Sequence, residues 1–390
     1  MYQRNYGQFL LASPESPIVT DCDDAIASSH LRPNFRAQPF WNPTHIPAHE
    51  VGETIHRMDL NECPHPPSDR VIAAISQAAA GLNRYPDGTC PVLTDTLASR
   101  LDVPAANLCY GSGSTQLLTA IAAITVSPGE QLLSPELIWR RFAGVFDVVA
   151  AEHVSVPNRM DGGIDVGALL DAVGNNTRLM VVLTPNNPTG MMLSHAELER
   201  LSVETPDNVM LFVDEAYFEF ARFAGGADAL DALRSRRGPW VVTRTFSKAY
   251  ALAGLRLGYA ICSSEEIANA LRLITSTFSL TGVAEAAALA ALDDTEYTQM
   301  ILQSTQSERE RIMAGLRAQG FAPMPSVTNF VGVDVGCSAG AVVQKMRERR
   351  VRIATFGYAS AGNCIRVSTG TAEDTDAFLA VLPEVIAELK

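Results

Sequence analysis

Thr243-Arg244-Thr245-Phe246-Ser247-Lys248-Ala249-Tyr250-Ala251-Leu252-Ala253-Gly254-Leu255-Arg256-Leu257-Gly258-Tyr259 is the stretch from which the fold of this 390-residue chain can be read. Residues 240–243 are apolar and β-branched, which predicts a buried strand that delivers Lys248 to a turn. A lysine that acts as a nucleophile must lose its proton, so it needs a partly desolvated pocket with other cations nearby. The hydroxyls of Thr245 and Ser247 flank this lysine, and Arg256 follows eight positions later. Hydroxyls and a guanidinium suit a phosphate, whose oxygens arginine binds with parallel hydrogen bonds. A solvated surface lysine would explain this stretch equally well in isolation. The segments around it carry the argument further.

Working outward, residues 178–184 and 210–213 also read as buried strands. The first runs into Pro185-Asn186-Asn187-Pro188-Thr189-Gly190, a tight loop, and the second into Asp214-Glu215-Ala216-Tyr217. Upstream, Gly111-Ser112-Gly113-Ser114-Thr115-Gln116 leads into a helix over residues 117–124. Glycines let a ligand approach the backbone, and a helix N-terminus offers N–H groups to an anion. The segment lacks the third glycine of a dinucleotide fingerprint and the Gly-Lys of a P-loop, which argues against a nicotinamide oxidoreductase. Strands alternate with helices over residues 105–290, implying a parallel sheet covered on both faces. Ligands of such sheets bind beyond the carboxyl ends of strands, where Asn187, Asp214 and Lys248 all fall.

The flanks differ. Residues 1–57 contain six prolines and read as an extended arm. A helix is expected over residues 68–80, capped by Ser68 or Asp69, and another over 93–101. After residue 290 come a long helix (295–319), strands at 327–333, 351–354 and 364–368, an intervening helix at 339–349, and a helix from Ala372 onward. The expected division is an arm (1–57), a larger α/β domain (86–290) and a smaller α+β domain (58–85 with 291–390).

Composition narrows the function. The hydrophobic content of 47% supports a large core, and the net charge of −13 makes nucleic acid and anionic membranes poor partners. No stretch approaches a membrane span, and residues 9–12 are too short for a signal segment. The seven cysteines are widely spaced with no C-x-x-C, which predicts reduced thiols in a cytoplasmic protein and no metal site.

The lysine stretch, together with Asn61-Glu62-Cys63-Pro64 and Arg84-Tyr85-Pro86, resembles the fold type I pyridoxal phosphate (PLP) aminotransferases, most of all the histidinol-phosphate aminotransferase family. The resemblance covers residues 58–385. It implies a mostly parallel seven-stranded sheet between helices, PLP as cofactor, and a homodimer with shared active sites. By the same resemblance Lys248 carries PLP, Asp214 pairs with its ring nitrogen, and Asn187 and Tyr217 bond its phenolic oxygen. Ser114, Thr115, Gln116, Thr245, Ser247 and Arg256 surround its phosphate, with Tyr85 reaching in from the partner subunit. Arg366 clamps the substrate carboxylate, with Asn329 beside it.

What the resemblance implies for substrate is an amino donor such as histidinol phosphate and a 2-oxo acid such as 2-oxoglutarate. Two places depart from the family. Leucine stands at position 137, where an aromatic residue stacks on the cofactor ring, so either Leu137 or Trp139 covers it. The arginine that holds the substrate phosphate falls, at the family's spacing, on Ile353, with Arg352 one position away. Side chains alternate along a strand, so Arg352 points away unless the following loop is longer. These departures lean toward an unphosphorylated apolar or aromatic amino acid, with a PLP-dependent decarboxylase as a further alternative. A PLP-dependent transcription regulator would need a basic DNA-binding domain, and residues 1–57 are too short and not basic enough.

Overall fold

Seven short runs, the central ones rich in valine and leucine, pair into one sheet in the computed structural model, which describes residues 54–390. They are β1 (Leu108–Ser112), β2 (Gln131–Pro135), β3 (Glu152–Val156), β4 (Thr177–Leu183), β5 (Met210–Asp214), β6 (Trp240–Thr245) and β7 (Leu257–Cys262). The spatial order is β1-β7-β6-β5-β4-β2-β3. Alternation along the strands splits the core. Met180, Val182, Leu211, Val213 and Val242 pack on one face. Leu179, Val181, Phe212 and Val241 pack on the other. Helices cover both faces, as the unbroken apolar runs require.

The sheet is parallel except for β7, which runs antiparallel to both β1 and β6. This is the mostly parallel seven-stranded sheet expected of the chain, with β7 its one antiparallel strand. The connection from β6 to β7 contains only a short 3-10 turn, Ala253–Leu255, and no helical crossover, so the chain must turn back. This reversal has a chemical consequence. It puts Lys248, just past the end of β6, and Arg256, just before β7, at the same end of two neighbouring strands.

A second sheet is antiparallel, with β8 (Phe330–Asp334), β9 (Ala354–Thr355) and β10 (Cys364–Ser368) in the order β9-β10-β8. It packs with the helices Thr295–Ala318, Ala339–Glu348 and Ala372–Leu389 around its own core of Ile312, Val331, Val333, Ile365, Val367 and Phe378. The strand expected at residues 351–354 is two pieces in different sheets: Val351–Arg352 pairs in parallel with His56–Arg57, and Ala354–Thr355 joins β10. Residues 58–85 divide between the cores. Met58 packs in the smaller one, whereas Val71, on the helix Asp69–Ala78, packs in the larger. Ser68 caps that helix through the Val71 N–H. The described residues belong to one compact unit. The expectation for residues 1–57 lies outside them up to residue 53.

Candidate active site

Lys248 lies where β6 has ended, and its Nζ donates to the carbonyls of Asn61 at 2.9 Å and Leu60 at 3.3 Å. Burial, helped by Arg366 and Arg256, pulls its amine down to about 8 against the opposing pull of Glu62 and Asp214. An amine in that range exchanges protons near neutrality, as a lysine that must be both nucleophile and base requires.

Asp214 ends β5 and is 3% exposed. Register explains its setting: Asp214 is the Cα partner of Thr243 on β6, and the Thr243 hydroxyl donates to its Oδ1 at 2.9 Å. Burial pushes its carboxyl up to about 7; the neighbouring Glu215 adds to this, while the Thr243 hydroxyl, the Ala216 N–H and Lys248 oppose it. A carboxyl buried with so little compensation is set to receive a cation. Glu215 faces the other way and is held by Arg244 at 2.7 Å, so the two adjacent carboxylates do not share a pocket.

The phenol of Tyr217 accepts from Asn61 Nδ2 at 2.8 Å and from Asn187 Nδ2 at 3.4 Å. Asn187 Oδ1 accepts from Arg366 Nη1 at 2.8 Å. The other arm of Arg366 donates to the Asp59 carbonyl at 2.6 Å, while its Nε is buried with no partner. Burial lowers the pKa of this guanidinium. Asn329 donates to the Asn61 carbonyl at 3.0 Å, and its Oδ1 is a second orphaned buried atom. Lys248, Tyr217, Asn187, Arg366 and Asn329 thus form one connected network, with Asp214 coupled to Lys248 by charge.

The anion cup is built by close approach. Gly113 precedes the helix Ser114–Thr125, whose first N–H groups have no side-chain cap. Gly113 has φ +72°, and a Cβ there would stand 2.3 Å from Arg256 Nη2. Only glycine lets the guanidinium cross the helix N-terminus. Arg256 itself is left-handed (φ +56°), which turns its carbonyl onto the Gly113 N–H at 2.8 Å. The Thr245 hydroxyl lies 3.1 Å from Leu257 O and 3.0 Å from Ser247 Oγ, and it accepts from the Ser247 N–H at 3.1 Å, so it braces Ser247 at the cup. Gln116 folds back to accept from the Ser112 N–H at 2.7 Å, so its carbonyl braces the turn. An uncapped helix end, hydroxyls, a guanidinium, a buried carboxylate and a lowered lysine are the donor set that PLP needs.

Of the two residues considered for the ring, Trp139 packs edge-on to Phe142 behind the sheet, at 6.4 Å. Leu137 is the one beside the Asn187 loop: its carbonyl accepts from Asn186 Nδ2 at 2.8 Å, and its side chain joins Phe356, Met324 and Tyr358. Arg352 is buried and ion-paired with Asp59 at 3.3 Å. Ala354 is the Cα partner of Arg366, so position 352, two residues along, falls toward the same side, and Ile353 packs in the smaller core. Tyr85 is 84% exposed and stacks on Phe278 at 4.9 Å.

Four residues at the site escaped sequence reasoning as members of it: Asp59, Asn61, Thr243 and Ser368, whose hydroxyl donates to Asn61 Oδ1 at 2.9 Å. Asn61 stood inside a quoted motif, and its left-handed backbone (φ +53°) is one that asparagine tolerates. Thr243 could only be found from the strand register. Among the described residues, no cluster of three or more His, Cys, Asp or Glu could hold a metal, and no helix is long and apolar enough to cross a membrane.

The family model for aminotransferase class I and II matches residues 54–382. The aromatic amino acid aminotransferase of Streptomyces coelicolor is 36% identical over 93% of this chain and 100% of its own length. Histidinol-phosphate aminotransferase 2 of Methylococcus capsulatus is likewise 36% identical, over 85% of this chain and 90% of its own. In three dimensions, the chain superposes on histidinol-phosphate aminotransferase from Sinorhizobium meliloti, crystallised with pyridoxal-5'-phosphate. The TM-score is 0.85 with 32% identity, covering 93% of this chain and 99% of that one.

Proposed function

The chain belongs to the class I and II aminotransferases, which use PLP, and from that premise we propose that it moves the amino group of an apolar or aromatic amino acid to a 2-oxo acid such as 2-oxoglutarate. The carrying observation is the charge balance at Arg366. Arg352 ion-pairs with the Asp59 carboxylate at 3.3 Å, and Arg366 donates to the Asp59 backbone carbonyl at 2.6 Å, so one carboxylate stands beside two cations. One net positive charge suits a carboxylate monoanion. A phosphate would place both of its charges at that one point, where the Asp59 carboxylate repels the second. The shelf of Leu137, Met324, Phe356 and Tyr358 supports an apolar side chain.

Bound PLP supplies an electron sink. In this reading Lys248 would hold the cofactor, and its amine is the base placed to take the substrate Cα proton. Asp214 would face the ring nitrogen and keep it charged, and Tyr217 and Asn187 would hold the phenolic oxygen. Ser114, Thr115, Ser247 and Arg256 hold the phosphate. Arg366 fixes the α-carboxylate, and so which Cα bond aligns for cleavage. The enzyme acts as a homodimer, with the exposed Tyr85 supplied to the partner's cup. The thiols of the six described cysteines fit a reducing, cytoplasmic setting.

A histidinol-phosphate-like donor is the second reading, favoured by the burial of Arg352 on the Arg366 side. Comparing kcat/KM for phenylalanine and histidinol phosphate, in the wild type and in Arg352→Ala, decides between them. Phenylalanine should be the better donor and should survive the substitution. A strong preference for histidinol phosphate that collapses in Arg352→Ala would reverse the assignment.

A further inference from the structure

Asn61 touches more of the site than any residue the mechanism uses, and the hydrogens around it can be assigned one by one. Ser368 Oγ accepts from the Asn61 N–H at 2.9 Å and lies 2.9 Å from Asn61 Oδ1. Having accepted one hydrogen, this buried hydroxyl directs its own at Oδ1, which fixes the amide with its NH₂ toward Tyr217. Asn61 Nδ2 then donates to the Tyr217 oxygen at 2.8 Å, and Asn187 Nδ2 donates to it from 3.4 Å. A phenol oxygen accepts hydrogen bonds and carries one hydrogen to donate. Both amides turn their NH₂ groups to the Tyr217 oxygen, and their own oxygens are held by Ser368 and Arg366, so neither takes the Tyr217 hydrogen and it is left to point into the site.

We infer that Asn61, oriented by Ser368, is a positioning residue that makes Tyr217 an obligate hydrogen-bond donor to the bound cofactor. The inference rests on Lys248 and Tyr217 holding PLP as proposed. A donor aimed at the phenolic oxygen stabilises its anion and so lowers the pKa of the chromophore that Lys248 forms with PLP. Without Asn61 the phenol rotates to donate elsewhere, and that pKa rises. The charged groups around Tyr217 and Lys248 are Asp214, Arg366, Arg256 and Glu62, and the variants below leave all four in place.

Asn61→Gly is the informative substitution. Glycine accepts φ +53° and keeps the backbone carbonyl that receives Lys248 and Asn329, so only the amide is lost. The readout is the midpoint of the pH titration of the visible absorbance of the holoenzyme, with no substrate present. It should move up by about one unit in Asn61→Gly, the worth of one charge-assisted hydrogen bond, and in the same direction but less in Ser368→Ala. In a Tyr217→Phe background, Asn61→Gly should add nothing. An unchanged midpoint in Asn61→Gly, or a shift of equal size in the Tyr217→Phe background, overturns the inference, because a merely structural asparagine or one acting through space would behave so. A titrating band that persists in Lys248→Ala would instead refute the site reading beneath it.

Discussion

Lys248 and Asp214 are two buried ionisable groups whose pKa values burial has moved toward each other, to about 8 and about 7. Lys248→Ala should abolish transamination and leave the fold intact, since its amine makes only two hydrogen bonds, both to backbone carbonyls. Borohydride reduction of the wild-type holoenzyme followed by peptide mapping should find the cofactor on Lys248, and label on another lysine would defeat the assignment. Asp214 offers a test without cofactor. Its folded pKa lies above the unfolded carboxylate value of about 4, so the native apoprotein holds a proton that the unfolded chain has released. Stability from this group is present below about pH 4 and is lost as the pH rises toward about 7. Apo Asp214→Asn lacks that loss. Its thermal midpoint relative to wild-type apoprotein should therefore climb between about pH 4 and about pH 8, by the equivalent of a few kcal/mol. A flat difference across that range would mean Asp214 is already charged and compensated. In the holoenzyme the same change would remove the proposed ring-nitrogen partner and should slow turnover by two or more orders of magnitude, ~3–4 kcal/mol.

At the level of elements, the turn from β1 into the helix Ser114–Thr125 is the tightest construction in the site. Gly113→Ala puts a methyl group against the Arg256 guanidinium at a left-handed φ. PLP affinity should fall at least tenfold, ~1.4 kcal/mol, while the far-UV spectrum stays that of the wild type. Titration of apoprotein with PLP measures it, and wild-type affinity would remove the cup from this turn. The elements also show why the sequence was readable where it was. Strands β4, β5 and β6 are apolar on both faces and stood out. So did Asp214 and Lys248, which follow two of them. β3 did not, because Glu152, His153 and Ser155 lie at an exposed edge and break the apolar run. The direction of β7 depends on the length of a connection, not on periodicity. Asp59 and Asn61 were invisible as site members because their partners, Arg366, Tyr217 and Ser368, are remote in sequence, and nothing local encodes those contacts.

For the molecule as a whole, the exposed Tyr85–Phe278 stack is a large aromatic surface left to water in a single chain. The chain should be a homodimer at working concentrations by sedimentation. Tyr85→Phe should weaken PLP retention. Mixing inactive Lys248→Ala chains with Tyr85→Phe chains should rebuild one site per heterodimer that has both good residues. A fully active monomer would contradict the shared site.

The N-terminal segment has one further consequence. Asn61 closes on Ser368 across 307 positions, and His56–Arg57 waits for Val351–Arg352. A chain emerging from the ribosome completes the large sheet, with Lys248 and the anion cup, while residues 56–61 still have no strand to join. Arg352, Arg366 and Ser368, which close the site onto positions 59–61, are therefore the last of it to be synthesised. Closure over so long a separation pays loop entropy before its contacts reward it.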